Sequence, residues 1–123
     1  MRKKLCILED DKDIREIIEF LFVSEDYEVW CFSTIKELMS RKNEVIPDLF
    51  LLDVMLPDGN GIDVCNELNS LESTATVPVL MMSANTEANK ISMACNAKGF
   101  ISKPFDLDHM LHTVHQAISL HNS

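Results

Sequence analysis

Apolar residues along this chain fall into two alternating patterns. Short apolar runs occur at Leu5–Leu8, Tyr27–Cys31, Leu49–Leu52, Val77–Met82 and Phe100–Ile101. Each has the length of a strand, and the third and fourth are apolar on consecutive residues, as a strand covered on both faces must be. Between them lie longer stretches with helical spacing. Ile14, Ile17, Ile18 and Leu21 fit i, i+3, i+4, i+7, as do Leu107, Met110, Leu111 and Val114, with Ile118 one turn on. Ile35, Leu38 and Met39 make a shorter stripe, and Ile62, Cys65 and Leu68 another. Thr86–Cys95 carries the weakest stripe, Ala88, Ile91 and Cys95, and is predicted as a helix with little to bury.

Turn and cap residues agree with these boundaries. Asp13 stands at the start of the first predicted helix with Glu16 three residues later, a capping-box spacing. Asp106 does the same capping work before the last helix. Pro78 falls at the start of its strand, where a missing N–H is tolerated. Asn96 follows a helix, where a left-handed residue is commonly needed. The order is βαβαβαβαβα over residues 1–123. It predicts one α/β domain: a doubly wound, five-stranded parallel sheet with right-handed crossovers and helices on both faces.

Charge narrows the partners. The chain has 123 residues, 46% of them hydrophobic, with 11 Lys and Arg against 20 Asp and Glu, a net charge of −9. Such a surface repels nucleic-acid phosphates and anionic lipid, so direct nucleic-acid binding is not expected. No apolar run approaches the roughly 18–20 residues of a membrane span. The basic start, Met1-Arg2-Lys3-Lys4, is followed by an apolar run that stops at Glu9, too short for a signal peptide. A cytoplasmic protein is expected. Cys6, Cys31, Cys65 and Cys95 form no zinc spacing and are expected as small buried hydrophobes in a reducing compartment.

In a parallel sheet of this kind, ligands bind beyond the carboxyl ends of the strands. The first strand ends in Glu9-Asp10-Asp11, the third in Asp53, the fourth in Ser83 and the fifth in Ser102-Lys103-Pro104. One acidic residue after a strand is usually a cap or a turn residue. Carboxylates, a hydroxyl and an amine gathered on one sheet edge are different. Like charges about 4 Å apart repel by about 4 kcal/mol at an effective dielectric near 20, so such a cluster calls for a cation. Carboxylate oxygens without His or Cys suggest Mg²⁺, which takes phosphate oxygens as further ligands. Asp53 can then be an in-line nucleophile, with Ser83 and Lys103 as donors to the phosphoryl oxygens.

The stretches CILEDD, DLFLLDVMLPDGNG, VPVLMMSA and GFISKPF, in this order and spacing, closely resemble the receiver domain of two-component response regulators, over essentially the whole chain. The resemblance implies a flavodoxin-like (βα)5 receiver fold and a phosphoacceptor at Asp53. It implies Mg²⁺ held by Asp10, by Glu9 directly or through water, by Asp53 and by the Met55 carbonyl. Ser83 would hydrogen-bond the phosphoryl group and Lys103 would pair with Asp53. The Lys103-Pro104 bond would be cis, and Phe100 would be the aromatic that swings inward when Ser83 moves. Ser83 stands where the family has Ser or Thr. Met55 and Asn85 would tune the lifetime of the phosphorylated form.

A haloacid dehalogenase-type phosphatase would carry its nucleophile as DxD after the first strand, whereas Asp53 follows the third and residue 55 is Met. A flavin binder would want a Ser/Thr/Gly-rich phosphate loop after the first strand, where this chain has carboxylates. A degenerate receiver would lack part of the set. The resemblance therefore implies a signalling switch rather than a turnover enzyme. Its phosphoryl group would come from a sensor histidine kinase or a histidine phosphotransfer protein. It would be read by a downstream protein, or by a second copy in a homodimer, through the face of the fourth helix, fifth strand and fifth helix. A stand-alone receiver is expected. A relay intermediate and a receiver cut from a longer regulator or hybrid kinase are the alternatives.

Overall fold

The computed structural model describes residues 2–42, 44, 46–84 and 94–121. Five parallel strands form the central sheet: β1 (Lys4–Leu8), β2 (Glu28–Phe32), β3 (Leu49–Asp53), β6 (Val79–Ser83) and β7 (Gly99–Ser102). Their order is β2-β1-β3-β6-β7, the doubly wound flavodoxin-like arrangement. A two-residue antiparallel hairpin, β4 (Met55–Leu56) and β5 (Gly59–Asn60), follows β3 and was not expected from the apolar pattern. Among the described residues the helices are α1 (Lys12–Ser24), α2 (Ile35–Ser40), α3 (Gly61–Ser70) and α4 (Leu107–His121). The predicted helix over Thr86–Cys95 lies, up to residue 93, outside the described residues, as does Asn85.

Alternation along the strands divides the core into two layers. Cys6, Leu8, Phe50, Leu52, Val79 and Met81 face α2 and α3, meeting Leu38, Val64, Cys65 and Leu68. Leu5, Ile7, Leu49, Leu51, Leu80 and Met82 face α1 and α4, meeting Ile18, Phe22, Met110, Val114 and Ile118. Every residue of β3 and β6 is buried, which is why both read as unbroken apolar runs rather than alternating ones.

Three local expectations are corrected. The cap of α1 is Asp11, whose Oδ1 accepts the Ile14 N–H at 3.0 Å, while Asp13 sits in the first turn. The buried face of α1 is Ile18 and Phe22, whereas Ile17 is 49% exposed. Among the described residues the non-glycine with positive φ is Asp26 (φ 67), in the turn after α1, and Asn96 has no positive φ. The Asp106 cap is as expected, with the His109 N–H donating to its Oδ1 at 3.1 Å.

Candidate functional site

β1 and β3 lie side by side, with Leu8 in register with Leu52. Their carboxyl ends therefore deliver Glu9, Asp10 and Asp53 to one place, where a carboxylate oxygen from each lies within 4.8 Å of the others. Glu9 is held by the sheet itself, since its N–H continues the ladder to Phe32 O at 3.1 Å. Its Oε2 accepts the Asp11 N–H at 3.1 Å. Arg15, one turn into α1, donates from Nη1 to the carbonyls of Glu9 (2.9 Å) and Asp10 (3.2 Å) and so fixes the turn between strand and helix.

Asp53 is clamped from the other side. The next residue, Val54, donates its N–H to Met82 O on β6 and accepts from the Gly61 N–H at 2.7 Å. Gly61 opens α3 against the back of Asp53. A Cβ on Gly61 would sit 1.9 Å from the Asp53 carbonyl oxygen, so only glycine fits. The hairpin between them is tied to α2 by Asp58, whose carboxylate accepts the N–H groups of Ile35 (3.0 Å) and Lys36 (3.1 Å). These backbone donors hold the Asp58 carboxyl below its usual range. Sequence reasoning missed Arg15, Asp58 and Gly61. For Gly61 the available signal was its place as the last residue of the DGNG turn, directly before a helix.

Lys103 bridges the buried carboxylates. Its Nζ donates to Glu9 Oε1 at 2.5 Å and to Asp53 Oδ2 at 2.9 Å. It is aligned by its own N–H, which donates to Ser83 O at 2.9 Å, and it precedes a cis peptide bond to Pro104. Burial alone would lower the Lys103 pKa, but the hydrogen bonds to Glu9 and Asp53 outweigh it and raise it. For Glu9, burial is the largest influence and pushes the carboxyl up, reinforced by the Asp53 charge and opposed by Lys103 and the Asp11 N–H.

The structure brings together Glu9, Asp10, Asp53 and Lys103. Ser83 is buried at the end of β6, one residue past Met82, the register partner of Asp53. Met55 stands at the rim with its side chain 78% exposed. Phe100 is half-buried on β7 against the α2–α3 layer. Three carboxylates face one ammonium, which leaves a formal excess of two negative charges. A small divalent cation with oxygen preference fits that donor set. Among the described residues, no helix is long and apolar enough to cross a membrane.

Comparison with known proteins agrees with this geometry. The family model for the response regulator receiver domain matches residues 5–115. A putative response regulator from Chloroflexus aurantiacus J-10-fl superposes with a TM-score of 0.90 at 24% identity, covering 97% of this chain and 99% of that one. The chemotaxis response regulator CheY4 of Vibrio cholerae gives 0.89 at 22% identity, over 95% and 99%. The receiver domain of a sensor histidine kinase from Pseudomonas aeruginosa PAO1, which holds a magnesium ion in its active-site cleft, gives 0.87 at 19% identity, over 97% and 99%.

Proposed function

Because the chain belongs to the response regulator receiver family, we propose that it is a signalling switch of the two-component type that carries a phosphoryl group on Asp53. The observation that supports this most is the meeting of Glu9, Asp10 and Asp53 with Lys103 at one sheet edge. In the proposed reaction an Asp53 carboxylate oxygen attacks phosphorus in line. A P–O bond forms as the P–N bond to a donor imidazole breaks, and the imidazole leaves with its electron pair. Bound beside Glu9, Asp10, Asp53 and the Met55 carbonyl, Mg²⁺ would neutralise the phosphoryl oxygens and orient them. Lys103, already 2.9 Å from Asp53, keeps a positive charge at the reacting oxygen. Ser83 closes the neighbouring strand and supplies a hydroxyl donor to the transferred group, with Phe100 on β7 answering its movement. The protein would act in the cytoplasm on a downstream protein that senses the face of β7 and α4.

The donor must bring phosphorus to Asp53, so it must lie against the surface ringing the site. α1 starts directly after the acidic turn and exposes Ile17 and Phe20 beside Leu107 of α4, with Val23 exposed further along the helix. Phe20 is 76% exposed, and Asp13 and Glu16 rim the patch. That surface fits a helix with an apolar stripe edged by Lys or Arg, supplied by a histidine kinase or a histidine phosphotransfer protein.

Acetyl phosphate with Mg²⁺ should add one phosphoryl group, read by intact-mass spectrometry. EDTA should abolish it, and so should Asp53→Asn. Equal labelling of the variant would refute the site. Phe20→Glu should slow transfer from a phosphorylated histidine phosphotransfer protein at least tenfold while leaving acetyl phosphate labelling unchanged. Equal slowing by both donors would remove the docking role.

A further inference from the structure

Two buried thiols meet between α3 and the chain leading into β7. Cys65 is fully buried on α3 and Cys95 is 5% exposed, both in the same core layer. Their sulfurs are in hydrogen-bonding contact. The backbones on either side are tied together independently of the sulfurs. Asn66 Nδ2 donates to Ala94 O at 3.0 Å, joining the residues next to the two cysteines. Within α3, Asn69 Nδ2 donates to the Cys65 sulfur at 3.7 Å.

The other two cysteines are placed differently. In the β1–β2 register Cys6 pairs with Trp30 and Ile7 with Cys31. Cys6 therefore faces the α2–α3 layer while Cys31 packs against the α1–α4 layer, with the sheet between them. Of the four cysteines, Cys65 and Cys95 are the pair disposed to cross-link.

We propose that Cys65 and Cys95 are a reversible disulfide site, closed by a peroxide-class oxidant, that makes this receiver responsive to redox conditions as well as to phosphorylation. Cys95, nearer to solvent, attacks one oxygen of hydrogen peroxide. The O–O bond breaks, one water leaves, and Cys95 becomes a sulfenic acid. The Cys65 sulfur then attacks the Cys95 sulfur. An S–S bond forms, the S–O bond breaks, and hydroxide departs with the Cys65 proton as a second water. Two thiols are oxidised and one peroxide is reduced to two waters. Burial pushes the Cys65 thiol up to about 12, which disfavours it as the first nucleophile, and the Asn69 donor supports charge on its sulfur as the proton leaves in the second step. The bridge would tie α3 to the chain ahead of β7, whose Phe100 packs against the same layer.

Peroxide treatment of the full chain, followed by alkylation and non-reducing peptide mapping, tests this without relying on phosphorylation. The expected result is a linked peptide joining Cys65 to Cys95 within one chain, a loss of two hydrogens in the intact mass, and full reversal by dithiothreitol. The oxidised form should melt several degrees higher, since the bridge closes a long loop. Cys65→Ser and Cys95→Ser, checked for folding by circular dichroism, should each abolish the link, and Cys31→Ser should retain it. Linkage only between chains, or through Cys6 or Cys31, would overturn the proposal. So would sulfinic acid at Cys95 without a bridge, or no reaction in the folded chain at a peroxide level that oxidises it in urea.

Discussion

Replacing Lys103 by Met removes the ammonium that lies between two buried carboxylates while keeping an unbranched side chain of similar length. The side chains of Glu9 and Asp53 are 1% and 8% exposed, and their oxygens lie 2.5 and 2.9 Å from Nζ. At an effective dielectric near 20 each contact is worth about 6 kcal/mol of gross attraction, much of it offset by the desolvation of three charges. Breaking a buried pair from one side leaves the partner charge uncompensated and destabilises by about 3–5 kcal/mol. For a chain of 123 residues that corresponds to a fall in Tm of at least about 10 °C. The assay is a thermal melt in EDTA at pH 8. Because burial already raises Glu9, loss of Lys103 pushes it further up. A raised carboxyl favours the folded state in its protonated form, so the variant should regain stability as pH falls from 8 towards 5. A melt within about 3 °C of wild type in EDTA, with no such recovery, would show that Lys103 does not hold the carboxylates together.

Asp10 is the exposed member of the cluster, so Asp10→Asn should relieve repulsion and melt about 1–3 °C higher than wild type in EDTA. With Mg²⁺ at ten times its wild-type Kd, wild type should gain about 1.4 kcal/mol and the variant clearly less; equal gains in calorimetry would remove Asp10 from the metal site. Gly61→Ala must displace the Asp53 carbonyl, 1.9 Å from the new Cβ, and should lower stability by about 2–4 kcal/mol in urea titration while slowing phosphorylation; a neutral outcome would contradict the close approach. Cys6, Cys31 and Cys65 are raised to about 12 by burial, and Tyr27 and Lys103 are raised above their ordinary values. The folded chain thus keeps protons that the unfolded chain releases, so the urea midpoint should fall steadily from about pH 9 upward. A flat or rising midpoint between pH 9 and 11 would refute that balance.

The sheet was legible because β3 and β6, buried on both faces, cannot be read as anything amphipathic, and because Glu9, Asp53, Ser83 and Lys103 follow the ends of apolar runs. Its finer features depended on information that periodicity does not carry. α1 contains Ile14, Ile17, Ile18, Phe20, Leu21, Phe22 and Val23, so several overlapping stripes satisfy the helical period. The packing of Phe22 edge-on against Tyr27, with ring centroids 5.1 Å apart, goes with the face that is buried. The cap depended on where the helix begins, and among Asp10, Asp11 and Asp13 only the geometry of the turn decides. The β4–β5 hairpin is two residues on each side, too short to leave an apolar pattern. Gly61 and Arg15 act on the backbone of residues distant in sequence or a turn away, so their roles emerge only once the strand ends are assembled.

The central claim is that Asp53 forms an acyl phosphate beside a divalent cation. Borohydride reduces an acyl phosphate to an alcohol, converting the modified aspartate to homoserine, which peptide mapping locates to a single residue. After incubation with acetyl phosphate and Mg²⁺, homoserine should appear at position 53 alone, and it should be absent when either reagent is left out. Homoserine at Asp10 or Asp11, a reduced glutamate at Glu9, or no reduced residue anywhere in the chain would contradict the account.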